Sequence, residues 1–121
     1  MLTAALALVL AALVQQPPAA PVEIPILKAG LGSCAADFVV KDAQGVPVYG
    51  AAIHVRVRYG VLGVKRADLE VGTNSNGQAR IEGLPAKAKP LAYDIQKDGR
   101  KATAAQNVAD RCEAKFDIEL K

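Results

Sequence analysis

From Cys34 to the C-terminus, apolar and polar side chains alternate with a period of two. Cys34, Ala36, Phe38 and Val40 alternate with Ala35, Asp37, Val39 and Lys41. Ile53, Val55, Val57 and Tyr59 fall on one side of the next run, and His54, Arg56 and Arg58 on the other. Ala67, Leu69 and Val71 repeat the pattern, followed by Ala79 and Ile81 and then by Leu91, Tyr93 and Ile95. The last run is the clearest, with Cys112, Ala114, Phe116, Ile118 and Leu120 set against Arg111, Glu113, Lys115, Asp117 and Glu119. Successive side chains of a strand point to opposite faces, so each run reads as a half-buried strand. No segment beyond residue 14 carries a helical period. With a further short run near residues 100–104, about seven strands each have one apolar face to hide. Stacking two sheets hides them all, so the expected fold is an all-β, seven-stranded Greek-key β-sandwich. A small closed barrel is the competing architecture.

Turn chemistry punctuates these runs. Asp42-Ala43-Gln44-Gly45-Val46-Pro47 places an Asp first and a Gly fourth, as a β-turn favours. Asn74-Ser75-Asn76-Gly77 predicts a hairpin turn, because Asn and Gly tolerate positive φ. Gly83-Leu84-Pro85 ends a strand, and Asp98-Gly99 predicts a two-residue hairpin.

The N-terminus is different in kind. Residues 1–14, MLTAALALVLAALV, are uncharged and almost wholly apolar. A membrane-spanning helix needs about 20 such residues, so the run is better matched to the core of a signal peptide, assigned to residues 1–16. A short retained helix is the alternative. Residues 17–33 form a Pro- and Ala-rich linker or edge strand, in which Val22, Ile24 and Ile26 share one side of an extended chain. The domain proper is 34–121. Leu31-Gly32-Ser33-Cys34 has the look of a lipid-attachment box, but Cys34 lies too far past the apolar run to sit at a membrane edge. Export implies a secreted, periplasmic or cell-envelope location, with membrane contact only through the signal peptide.

Export also permits a disulfide. The chain has two cysteines, Cys34 and Cys112, so one intramolecular pairing exists. Each precedes a phenylalanine, Phe38 or Phe116, by the same offset and in the same phase. If the first and last strands lie side by side in parallel, Cys opposes Cys while Phe opposes Phe, at a spacing a disulfide tolerates. The pair is expected as an inner-face staple between the terminal strands; two buried free thiols are the alternative.

The residues Val40-Lys41-Asp42-Ala43-Gln44-Gly45-Val46-Pro47-Val48-Tyr49-Gly50-Ala51-Ala52-Ile53-His54-Val55 resemble the opening of a carboxypeptidase regulatory-like domain. Thr73-Asn74-Ser75-Asn76-Gly77 resembles the later hairpin of that family, with Asn74 where Asp is frequent, and Gly83-Leu84-Pro85 matches the motif that commonly follows. The resemblance spans roughly residues 35–121 and rests on turn chemistry. It implies a transthyretin-like, Ig-like sandwich and a non-catalytic adhesion, spacer or carbohydrate-contacting role. The stretch Tyr59-Gly60-Val61-Leu62-Gly63-Val64 lengthens the connection after the second strand and departs from the family pattern.

The inventory of reactive side chains is thin. There is one His and no Trp. The purine-pathway hydrolases of transthyretin-like fold use several His and a C-terminal Tyr-Arg-Gly-Ser, whereas this chain ends Asp117-Ile118-Glu119-Leu120-Lys121. His54 lacks a positioned partner for acid–base work, so no catalytic residue, metal ligand or cofactor is expected. Net charge is +3 and aromatics are 4%, which gives little support to nucleic-acid binding. Two binding candidates stand out. One is the glycine-bracketed loop with Tyr59, Val61, Leu62 and Val64. The other is the basic row His54, Arg56 and Arg58, with Lys65, Arg66 and Arg80 joining it, which Asp68 and Glu70 on the next strand are placed to answer. The resulting expectation is an exported non-catalytic module binding a protein or carbohydrate partner. The alternative is a structural subunit that forms an oligomer or filament by donating its N-terminal edge strand.

Overall fold

The computed structural model describes residues 23–121. The expected signal peptide, and the lead as far as Val22, lie outside the described residues. Eight strands follow: β1 (Ile26–Lys28), β2 (Cys34–Asp42), β3 (Ala52–Tyr59), β4 (Lys65–Gly72), β5 (Gln78–Leu84), β6 (Leu91–Lys97), β7 (Arg100–Gln106) and β8 (Glu113–Leu120). They form two four-stranded sheets, ordered β1-β5-β2-β8 and β4-β3-β6-β7. The all-β sandwich read from the alternation is therefore the fold, with one strand more than expected.

The extra strand is β1, from the lead. It pairs in parallel with β5, setting Leu27 opposite Ile81. Ile24 and Ile26, expected on one side of the chain, are both exposed, while Leu27 between β1's outer residues packs against the core. Within this chain the edge segment, expected as a strand donated to a second copy, occupies its own sheet. Arg80 N donates to Pro25 O at 2.9 Å and Ala29 N to Glu82 O at 2.8 Å, which fixes it there.

The inward-facing residues meet between the sheets. Phe38, Val40, Ile53, Val55, Val57, Ile81, Tyr93 and Ile95 are buried. Phe38 sits at the centre, its ring edge-on to Tyr93 at 4.9 Å and stacked on Phe116 at 5.4 Å. Aromatic pairs at these separations add to what their buried area already contributes. The Phe38–Phe116 contact follows from the parallel β2–β8 ladder, in which the two residues are direct partners.

The same register carries one step further to the cysteines. Cys34 and Cys112 form a disulfide, with Cα atoms 4.6 Å apart, and Ala35 N donates to Cys112 O at 2.8 Å. The expected inner-face position holds for one partner alone. Cys34 is buried, but Cys112 precedes β8 and is exposed, so the bridge closes the end of the β2–β8 pair. Beside it, Gln106 is buried and accepts from the Tyr93 hydroxyl at 2.6 Å while donating to Arg111 O at 2.8 Å. This polar tie joins the end of β7 to the loop before β8.

The Asn74–Gly77 turn is not a hairpin, because β4 and β5 belong to different sheets. The local chemistry is as read: Asn74 Oδ1 accepts from Asn76 N and Gln78 N at 3.0 and 2.9 Å. What redirects the chain is Thr73. Its buried hydroxyl accepts from Ala51 N at 2.9 Å and donates to Val48 O at 2.6 Å, holding the end of β4 against the segment leading into β3. Gly77, at φ 73°, then passes so close to the Val40 carbonyl that any Cβ would collide with it. Asp98 and Gly99, both at positive φ, do make the two-residue hairpin between β6 and β7.

Candidate functional site

The two outer faces differ in how their charges are answered. On the first sheet, Arg80 bonds Asp37 at 2.7 Å and Glu82 at 2.9 Å, and the ladder sets Asp37 beside Lys115 and Lys41 beside Glu119. Glu82 and then Asp37 hold the Arg80 guanidinium more firmly protonated than usual. Arg80 is thus on the opposite sheet from His54, Arg56 and Arg58, and its expected place in that row is corrected.

On the second sheet the charge is graded along β3. His54 lies between Glu70 of β4 and Asp94 of β6, and its Nε2 is 3.8 Å from Asp68 Oδ1. Arg56 faces Asp68 and bonds it at 3.0 Å. Arg58, expected to find an acidic partner, instead faces Arg66. Like charges directly opposite on a ladder repel. Among the described residues, Arg58, Arg66 and Lys89 have no carboxylate within ion-pair distance.

A gap opens beside this graded row. The β3–β6 ladder ends at Val55 opposite Tyr93, although β3 runs on to Tyr59. Pro90, immediately before β6, has no N–H with which to extend the pairing. The strands part there and leave an open concavity of about 410 Å³, lined by His54, Arg56, Arg58, Lys89, Pro90, Ala92 and Asp94. Its lining combines three cations, Arg56, Arg58 and Lys89, with the apolar Pro90 and Ala92 and with His54 and Asp94. Three residues of the expected basic row, His54, Arg56 and Arg58, are thus brought together. Lys89, Pro90, Ala92 and Asp94 were missed, because which strand neighbours β3 on its far side is not written in any local pattern.

The second candidate, the loop after β3, is a short 3-10 turn at Val61–Gly63. Val61, Leu62 and Val64 are 84%, 90% and 74% exposed, whereas Tyr59 packs against the core. Tyr59 is half-buried and lines one hollow with Val61, while the three aliphatic residues project from the loop.

No family model matches the chain, and no curated protein matches it. Solved structures do. Catechol 1,2-dioxygenase from Pseudomonas arvilla C-1 is 13% identical, with a TM-score of 0.54 over 81% of this chain and 58% of that one. Chlorocatechol 1,2-dioxygenase from Pseudomonas putida is 14% identical, with a TM-score of 0.53 over 88% and 68%. The dioxygenase domain of a dioxygenase carbohydrate-binding protein fusion from the cellulolytic bacterium Streptomyces sp. SirexAA-E is 15% identical, with a TM-score of 0.53 over 88% and 94%. What the chain shares with these proteins is their fold. It spans under two thirds of the Pseudomonas arvilla enzyme but nearly all of the Streptomyces domain.

These likenesses overturn the expectation of a non-catalytic module that binds a protein or carbohydrate. That expectation treated the sandwich and its turns as marks of adhesion and spacer domains, and solved structures that share this sandwich include dioxygenases. Turn residues shape backbone and say nothing about catalysis, so they were no ground for excluding it.

Chemistry with dioxygen calls on a metal or an organic cofactor. Among the described residues, no three of His, Cys, Asp and Glu stand together as a metal site requires. His54 is the chain's one imidazole, and Asp68 beside it is engaged by Arg56. This donor set does not fit a metal centre, and no oxygen-dependent step is assigned to it.

Proposed function

We propose that this chain is a dioxygenase-like domain that works outside the cytoplasm and holds a small aromatic anion in the gap between β3 and β6. The observation that carries this reading is the concavity lined both by Arg58 and Lys89, which have no ion-pair partner among the described residues, and by the apolar Pro90 and Ala92. A carboxylate or phenolate suits the cations, and charge-assisted hydrogen bonds to a guanidinium are the strong kind. A planar ring suits the apolar lining residues. The volume fits a one-ring molecule, and small-ligand sites commonly combine an apolar wall with few polar groups. The likeness to catechol and chlorocatechol dioxygenases supports an aromatic ligand by analogy of fold.

The Cys34–Cys112 disulfide supports work in an oxidising compartment, secreted or in the cell envelope. The resemblance to carboxypeptidase regulatory-like domains remains compatible as a statement about turns and sandwich.

Calorimetric titration with benzoate and with catechol tests the ligand. Benzoate is expected to bind saturably, and Arg58→Ala to weaken it roughly tenfold, the loss of one charge-assisted contact. An unchanged affinity in Arg58→Ala, or no saturable binding of either compound, would reject the site.

A further inference from the structure

We propose that the tip formed by Val61, Leu62 and Val64 docks on the surface of an anionic lipid bilayer. The inference does not need a ligand in the β3–β6 gap, although Arg58 and Lys89 stand beside both places. Three observations meet at this tip.

The first is exposure. These three aliphatic side chains are the most exposed of the large apolar residues described, and they sit within four positions of one another. The second is backbone. Gly60, Leu62 and Gly63 all have positive φ, and Leu62, at 59°, carries a side chain in a region that disfavours one. The chain thus holds an unfavourable conformation whose visible result is a leucine pointed into solvent. The third is charge. Arg58, Lys65 and Arg66 flank the tip along the chain, and Lys87 and Lys89 come beside it from the loop before β6. Lys87 and Val61 line one shared hollow, and a Cβ at Gly63 would lie 3.4 Å from Lys89 Cε. No acidic residue occurs in 58–66 or in 85–90.

Charge complementarity therefore names an anionic occupant, and the apolar tip names one with an interior to enter. Protein interfaces concentrate aromatic residues at their centre and are poor in lysine. Here the centre is aliphatic, and three of the five cations are lysines. Long cationic side chains beside an aliphatic wedge are suited to a bilayer, where the wedge enters the acyl boundary and the charges stay at the headgroups. The Arg58–Arg66 opposition has a place in this account too, since phosphate headgroups would relieve it.

The chain contains no tryptophan, so a single introduced indole reports cleanly. Leu62→Trp and, at the opposite end of β3, Tyr49→Trp are mixed in the full chain with vesicles of phosphatidylglycerol and phosphatidylcholine, with phosphatidylcholine vesicles, and with heparin. Emission from Leu62→Trp is expected to move to shorter wavelength with phosphatidylglycerol vesicles alone, while Tyr49→Trp stays unmoved whatever the N-terminal residues do. Adding Lys65→Glu and Arg66→Glu to Leu62→Trp is expected to weaken the response at least roughly tenfold, from the charge lost near the surface. An unmoved Leu62→Trp emission overturns the proposal. So does a response to heparin without one to vesicles, which would assign the tip to an acidic polymer or protein.

Discussion

Leu62 is the residue whose local conformation is hardest to explain by packing. It is 90% exposed and sits at φ 59°, so it buries little to offset its backbone. Replacing it with glycine removes the left-handed penalty while adding some chain entropy, and Leu62→Gly is expected to stabilise the fold by about 0.5–1 kcal/mol in urea unfolding. A loss of stability would mean that Leu62 packs better than its exposure indicates. Arg66 makes a similar argument in charge. Arg66→Glu converts the repulsion with Arg58 into an attraction, and should raise stability by roughly a few tenths of a kcal/mol, an effect that salt diminishes. Tyr93 supplies a pH dependence. Burial pushes its phenol well above the ordinary value, so the folded chain keeps a proton that the unfolded chain releases. Stability from this group is complete below about pH 10 and declines as pH rises past it. Tyr93→Phe should flatten that alkaline decline, at a cost of about 1 kcal/mol near neutrality because Gln106 loses its donor. An unaltered alkaline limb would place the titration elsewhere.

At the scale of elements, β2 and β8 were legible from the sequence because three signals agreed. The alternation gave their inner faces, the matched Cys–Phe offsets gave their register, and parallel pairing made both meet. Phe38 opposite Phe116 is that register realised. Reducing the disulfide, or replacing both Cys34 and Cys112 with Ser, should lower stability by about 2–4 kcal/mol without changing the β-rich circular dichroism. No change in the unfolding midpoint would show that the ladder and the aromatic cluster suffice alone. The strands that were misjudged lacked a second signal. β1 is three residues long, too short for alternation to say which side would face the core. Asn74–Gly77 announced a turn correctly, but a turn motif does not state whether its two strands will pair. Thr73, whose hydroxyl spans to Val48 and Ala51, decided that from 22 residues away. The β3–β6 gap was illegible for the same reason: its lining comes from two strands separated by β4 and β5.

Across the whole molecule, the first sheet presents a neutralised outer face and the second a graded one that ends in uncompensated cations. In a chain with a net charge of only +3, Arg58 and Arg66 stand opposite each other at one end of the second sheet, with Lys89 lining the same concavity as Arg58. The composition did not reveal this, since the total is modest and the segregation appears only when the strands are laid side by side. A shortage of histidine was read together with the sandwich as ground against an enzyme, and a fold shared with dioxygenases removes the second half of that ground. The account now stands on the graded face being where a ligand sits. Chemical-shift mapping tests this most directly: backbone amide spectra of the isotope-labelled protein, recorded as benzoate is added. The account predicts saturable shifts confined to His54, Arg56, Arg58, Lys89, Ala92 and Asp94, with the first sheet silent. Shifts centred on Asp37, Arg80 and Lys115, or none at all, would contradict it.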